Sequence, residues 1–490
     1  MCIVCAPGGV RLLQSTAGAY GSKAKRGRSR FVAEAVAPAI VPPLDPADRD
    51  GLDGPADVIL RGGPILTLRR TGEVAEALAI RAGRIQWVGD AEQALALRGR
   101  VTRVIDLDGR TLIPGFVGAD WHPPISLLCD WLEAGAATAA TACAEDSREW
   151  LVLRTQPPTS AAPVAAMIAA AQRPAVAVDP DGSILAMSPA AAALAPRGDM
   201  GASPHLSALL PALLARLAVS RKPLRARLGK LYGEAARCGV TTLRFCGLGT
   251  LTGEGDIDLV RSAAGDSPPL RIRGALDADL ALRPGGAPVQ PGFGDDMFRV
   301  DTATRWLDDA DPDALAGTIR GLRAEGWRVT LHAGSPASLG LALDAFSAAA
   351  RDGRPLDAAD GVESRTSPSM RTWARIARLG HSVGLTAPAD GAADFSPRPG
   401  VAVSAARDEM AGPPKPLASF AGSGRPAGEW LPLVTSAAAA RCGVGDILGS
   451  LDIGKYADFA LLDSDPREAG VDPSRIAVSG TWISGCEVGP

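Results

Sequence analysis

Residues Leu112–Pro124 read LIPGFVGADWHPP: an apolar strand runs through Pro-Gly and then delivers Asp120, Trp121 and His122 in alternating register at its far end. Successive strand side chains point to opposite faces, so Asp120 and His122 share one face, while Trp121 faces away from them and packs against helices. A carboxylate and an imidazole on one face of a strand end are two donors of the kind that grip a divalent ion.

Working outward, DVILRGGPILTL and EALAIRAGRIQWVGD alternate apolar and polar residues, with Gly-Gly and Ala-Gly where hairpins need tight turns. RVIDLDGRTLIPGF closes a small antiparallel unit, and the far end of the chain repeats the style in GSLDIGKYADFALLDSD and IAVSGTWISGCEV. Short apolar runs lie between, at Val240–Phe245, Leu270–Leu276, Met297–Asp301, Trp327–His332, Ser382–Thr386 and Val401–Ser404. Helical patterns separate several of them, for example SLGLALDAFSAAARDG, whose apolar positions recur at three and four residues. This βα repetition between terminal hairpins predicts an α/β barrel whose two flanks meet in one small sheet. The Ala-rich region 131–235 predicts helices and one strand, PAVAVD.

Composition narrows the function classes. With 490 residues, 46% hydrophobic and 21% charged, the chain buries a large core, enough for a sizeable domain and a smaller one. A net charge of -3 without a basic, aromatic-interleaved stripe excludes a nucleic-acid partner. No apolar run reaches the length of a membrane span. Eight cysteines in so long a chain are not a disulfide framework, and Cys2-x-x-Cys5 has no second pair to complete a zinc site; the others read as ordinary buried thiols. Residues 1–55 read as a disordered leader. Its basic run (Lys23, Lys25, Arg26, Arg28, Arg30) before FVAEAVAPAIVPP is faintly signal-like, but Glu34 interrupts the apolar part. A cytoplasmic location is therefore expected, with export by a degenerate signal as the alternative.

In an α/β barrel the chemistry sits at the C-terminal strand ends. Asp120 and His122 end one strand, His332 ends WRVTLH, and Asp408 follows VAVSAAR; gathered there, they would suit a divalent ion, zinc by preference. Taken singly, a strand-end histidine is more often structural and an aspartate after a strand is most often a helix cap. His205 and His381 read as structural, and GLGTLTGEG misses the spacing of a dinucleotide loop.

From Ala56 onward the chain resembles the metal-dependent amidohydrolases, specifically the amidohydrolase-3 branch that includes N-substituted formamide deformylases. ADVILRGGPILTL, EALAIRAGRIQWVGD and VIDLDGRTLIPGF are similar to that family's opening, GWRVTLHAGSPASLGLALDAF to its central His strand, and GSLDIGKYADFALLDSDP to its closing signature. The resemblance implies a (β/α)8 TIM-like barrel over 114–446, with a composite β-sandwich built from 56–113 and 447–490. It implies hydrolysis of non-peptide carbon–nitrogen bonds of a small-molecule substrate by metal-activated water; assembly into a homo-oligomer stays open. Departures are visible. Gly118 stands at the family's acidic position and Asp120 at the first His of His-x-His, while Val362-Glu363-Ser364 replaces Ile-Glu-His. Glu363 is expected to face away from the missing imidazole's position, and Arg299, nearest to the bridging lysine of some relatives, makes a poor ligand. What the resemblance leaves is one divalent metal on Asp120, His122 and His332, with Asp408 as last ligand and proton acceptor. The alternative is a metal-free pseudoenzyme that keeps the barrel as a binding scaffold.

Overall fold

The computed structural model describes residues 52–488 apart from 70–71, 134–135, 146, 156–160, 180–181, 196–204, 218–221, 308–311, 352–359, 365, 380–381, 387–402, 407–412 and 469. The expected leader up to Gly51, Cys2-x-x-Cys5, His381 and Asp408 all lie outside the described residues.

Eight parallel strands form the centre of the molecule: β1 (Phe116–Trp121), β2 (Val240–Leu248), β3 (Arg271–Asp277), β4 (Phe298–Leu307), β5 (Arg328–Ala333), β6 (Gly361–Ser364), β7 (Ser382–Thr386) and β8 (Val403–Ala406). They neighbour one another in chain order, and β8 returns against β1, giving a nearly closed barrel. Every residue of β2 is buried, as expected of a parallel strand covered on both faces. Helices Pro312–Ala324, Pro336–Ala350 and Met370–Leu379 supply the crossovers after β4, β5 and β6. The second of these starts cleanly because Ser335 and Ser338 form a reciprocal capping box ahead of Pro336.

A second, eight-stranded sheet contains strands from both 56–114 and 459–487. Ala56–Leu66 pairs antiparallel with Val74–Arg81, which turns into Arg84–Gly89 through Ala82 and Gly83, both at positive φ (49° and 76°). That is the turn whose twist matches a tight hairpin. Thr111–Pro114 lies between Ala56–Leu66 and Phe459–Leu462, parallel to the first and antiparallel to the second. Leu60, Ile65, Leu78, Phe459 and Trp482 share the core of this sheet.

Two expectations change. Arg98–Asp106 pairs parallel with Ala56–Leu66, so the N-terminal unit is mixed rather than antiparallel: helix Ala91–Ala96 intervenes and returns the chain in the same direction. The Ala-rich region holds a four-stranded sheet (Asp130–Glu133, Leu151–Arg154, Ala175–Val178, Ile184–Met187), not one strand. Its strands are only four residues each, too short for alternation to separate them from buried helix. Among the described residues no helix is long and apolar enough to cross a membrane.

Candidate metal centre

At the C-terminal ends of β1, β5 and β6 the chain brings together His122, His332 and Glu363, whose ligand atoms lie within 4.8 Å of one another. His122 Nε2 is 2.9 and 2.8 Å from Glu363 Oε1 and Oε2, and His332 Nδ1 is 2.5 Å from Glu363 Oε2. Thr304 Oγ1 on β4 is hydrogen-bonded to the other nitrogen of His332. Trp306 stacks on the His332 ring (centroids 4.0 Å, 14° between planes) and meets His122 edge-on. All three polar residues are at most 5% exposed.

Burial works against the charge on Glu363, but the charges and hydrogen bonds of His122 and His332 outweigh it and hold the carboxyl well below its ordinary value. His332 is pushed down, by burial first, against the opposing pull of Glu363. A cation requires its imidazole ligands to be neutral, and burial favours the neutral form of His332. Two imidazole nitrogens and one carboxylate match the His₂Glu donor set of catalytic zinc sites, which leaves a further coordination place for water or substrate. The residues present therefore fit a single borderline divalent ion.

Glu363 faces the histidines, contrary to the sequence expectation, and strand register is the reason. In the β5–β6 ladder His332 pairs with Glu363, and directly paired residues of neighbouring strands share a face. Ser364 stands level with Ala333 instead, one residue further along the ladder and on the opposite face.

Asp120 is inside the barrel but is not a member of this group. Its Oδ1 is ion-paired with Arg244 of β2 and lies 3.6 Å from Arg441 Nη2, all three side chains being buried. Arg244 Nη1 donates to the Arg441 carbonyl (3.2 Å) and Arg441 Nη1 donates to Thr330 Oγ1 (3.2 Å). Asp120 and Thr330 each precede a site histidine by two residues, so this charged layer lies directly beneath the His–Glu cluster. Burial alone would lower the Arg244 pKa; the Asp120 carboxylate outweighs it and the pKa rises. Arg441 is lowered, by burial first and then by Arg244. At Gly118, which the resemblance sets at the family's acidic position, an added Cβ would fall 2.7 Å from Leu243 Cδ1, so a side chain there would displace the end of Leu243.

Of the other sequence candidates, Trp121 is buried edge-on against Phe245 (5.3 Å). His205 bridges to Ser183 ahead of a short 3₁₀ turn. Arg299 stands at the beginning of β4, five residues before Thr304, roughly 16 Å along a strand. In GLGTLTGEG the backbone N–H groups of Gly249, Leu251 and Thr252 all donate to Asp256 (2.8–2.9 Å), which uses up the donors a phosphate would need. Arg244 and Arg441 were missed; an arginine inside the otherwise unbroken VTTLRF run was the available signal for the first.

A curated relative, the 5-methylthioadenosine/S-adenosylhomocysteine deaminase of Syntrophobacter fumaroxidans, is 34% identical over 106 residues, a match spanning 19% of this chain and only 24% of that protein. An uncharacterized metal-dependent hydrolase from Pyrococcus furiosus superposes with a TM-score of 0.65 at 17% identity, over 84% of this chain and 100% of its own. E. coli guanine deaminase superposes with a TM-score of 0.53 at 14% identity, over 88% and 99%. At those identities the two structures speak for the fold. The model of the amidohydrolase family, Amidohydro_3, matches residues 103–488, most of the chain. The chain belongs to the amidohydrolase family.

Proposed function

We propose that this protein hydrolyses a non-peptide carbon–nitrogen bond of a small molecule, with one divalent metal, zinc by preference, held by His122, His332 and Glu363. The observation that carries the reading is the convergence of these three side chains from three separate strands at the catalytic end of the barrel. Membership of the amidohydrolase family and the short match to a deaminase support the bond class; a formamide or simple amide is the substrate favoured by the sequence resemblance. The reading takes the barrel as the eightfold βα type, flanked by a composite sandwich from 56–113 and 447–490.

Such an ion, when bound, lowers the pKa of its water toward about 7 and polarises an acyl oxygen. The chain's own residues supply the rest. Thr304 holds the far nitrogen of the His332 ring, which leaves the nitrogen facing Glu363 to the ion. Trp306 covers the His332 face and keeps water from it. Asp120 serves as the counter-ion of Arg244 and Arg441 rather than as a ligand. Asp408, two residues beyond the end of β8, accepts the proton of the attacking water and returns it to the leaving nitrogen.

Asp408→Asn tests this assignment. Across a panel of N-formyl amines, simple amides and aminopurines, the variant should keep its metal and lose at least ~10²-fold in turnover. Undiminished hydrolysis by the variant would remove Asp408 from the mechanism. A metal-loaded wild type inert across the whole panel would count against the substrate class.

A further inference from the structure

The opposite end of the barrel holds a cavity of about 380 Å³ that the proposed reaction does not use. Five arginines line it: Arg271 and Arg273 from the start of β3, Arg299 from the start of β4, Arg328 from the start of β5, and Arg84 from the mixed sheet. Three aspartates, Asp296, Asp301 and Asp446, share the wall, so guanidinium groups outnumber carboxylates along it. Asp458 lies behind Arg271, at 2.7 and 3.1 Å.

The guanidinium groups are organised as well as concentrated. Tyr456 is sandwiched between Arg84 and Arg271, at 4.1 and 4.0 Å from its ring centroid, and its hydroxyl donates to Asp296. These contacts fix two of the arginines while leaving the cavity open. Gly443 lets Arg328 approach: it has φ +66°, and a Cβ there would fall 2.3 Å from Arg328 Nη1. Arg273, only 7% exposed, pairs through Nη2 with Asp301; among the described residues its buried Nε and that of Arg299 have no hydrogen-bond partner. Asp296 is the ion-pair partner of Arg299, at 3.7 Å, too far for a hydrogen bond.

We propose that this cavity binds a small oxyanion, a phosphate or carboxylate group on a small molecule, through Arg273 and Arg299, at a site separate from the His–Glu centre. Planar guanidinium forks present the donors that such groups accept in pairs. The volume lies within the range of small-molecule sites, larger than a free ion needs.

The test is calorimetric titration of the full-length protein at fixed ionic strength with inorganic phosphate, phenyl phosphate and succinate. The site predicts saturable binding of at least one of them with one-site stoichiometry. Arg299→Gln and Arg273→Gln should each weaken it about tenfold, while the exposed Arg261→Gln should leave it unchanged. Preference for the phosphates identifies a phosphoryl ligand, and preference for succinate a carboxylate. Should the buried Arg273 variant fail to fold, the more exposed Arg299 variant decides alone. Absence of saturable binding for all three anions, or equal affinity in wild type and Arg299→Gln, overturns the proposal.

Discussion

Asp120 occupies a family histidine's place in sequence, yet its surroundings in the fold are those of a counter-ion. Two buried guanidinium groups, Arg244 and Arg441, depend on it. Restoring the family residue with Asp120→His should therefore not rebuild a ligand pair. It should leave two positive charges in a dry interior, at a cost of about 3–5 kcal/mol. Urea denaturation of the variant checks this; a midpoint equal to that of the wild type would mean that Asp120 is not the charge holding that layer together. What the sequence could disclose here was limited by geometry. His122 and His332 are legible as strand-end donors because the end of a strand can be read from its own apolar pattern. Glu363 depended on its register against β5, a relation between strands that neither strand's residues state.

Among the elements, the end of β3 carries a pH-sensitive feature. Asp277 caps the turn Ala278–Ala281, accepting from the N–H groups of Asp279 and Leu280. Burial, and secondarily the charge of Asp279, push its carboxyl up to about 6; the two backbone hydrogen bonds and Arg305 oppose this only in part. A folded-state pKa above the unfolded value of 3.8 means that the native state holds the proton more tightly. Its contribution to stability is complete below about pH 4 and is lost as pH rises toward about 6. Asp277→Asn keeps the cap without titrating. The stability of the variant relative to wild type should thus rise between pH 4 and 6 and level off above, as read from urea midpoints at each pH; a flat difference would contradict the assignment. Elements with long periodic patterns, such as Pro336–Ala350, are plain in the sequence. The four-residue strands between 130 and 187 are not, because so few residues establish no period.

Over the whole molecule, the two chain ends and the barrel are tied through a small number of buried contacts. Phe459 stacks on Trp482 (5.2 Å), Phe459–Leu462 pairs with Thr111–Pro114, and Arg271 at the base of the barrel grips Asp458. Truncation after Ala457 should lower hydrogen-exchange protection in Thr111–Pro114 and Ala56–Leu66 as well, since an incomplete sheet leaves its apolar face uncovered. Unaltered protection there would show that the N-terminal strands stand alone. The fold's general plan was readable from βα repetition and terminal hairpins, whereas the closeness of remote side chains was not, since it follows from closing the barrel. On the proposed reading, barrel closure makes His122, His332 and Glu363 one cation site. Its most direct test is metal content by mass spectrometry, on protein purified without chelators and reloaded with zinc or manganese, for wild type, His332→Ala and Glu363→Gln. Close to one equivalent is expected in the wild type and a substoichiometric amount in both variants, with circular dichroism showing that all three are folded. Folded wild type that takes up no metal, or variants that retain a full equivalent, would contradict it.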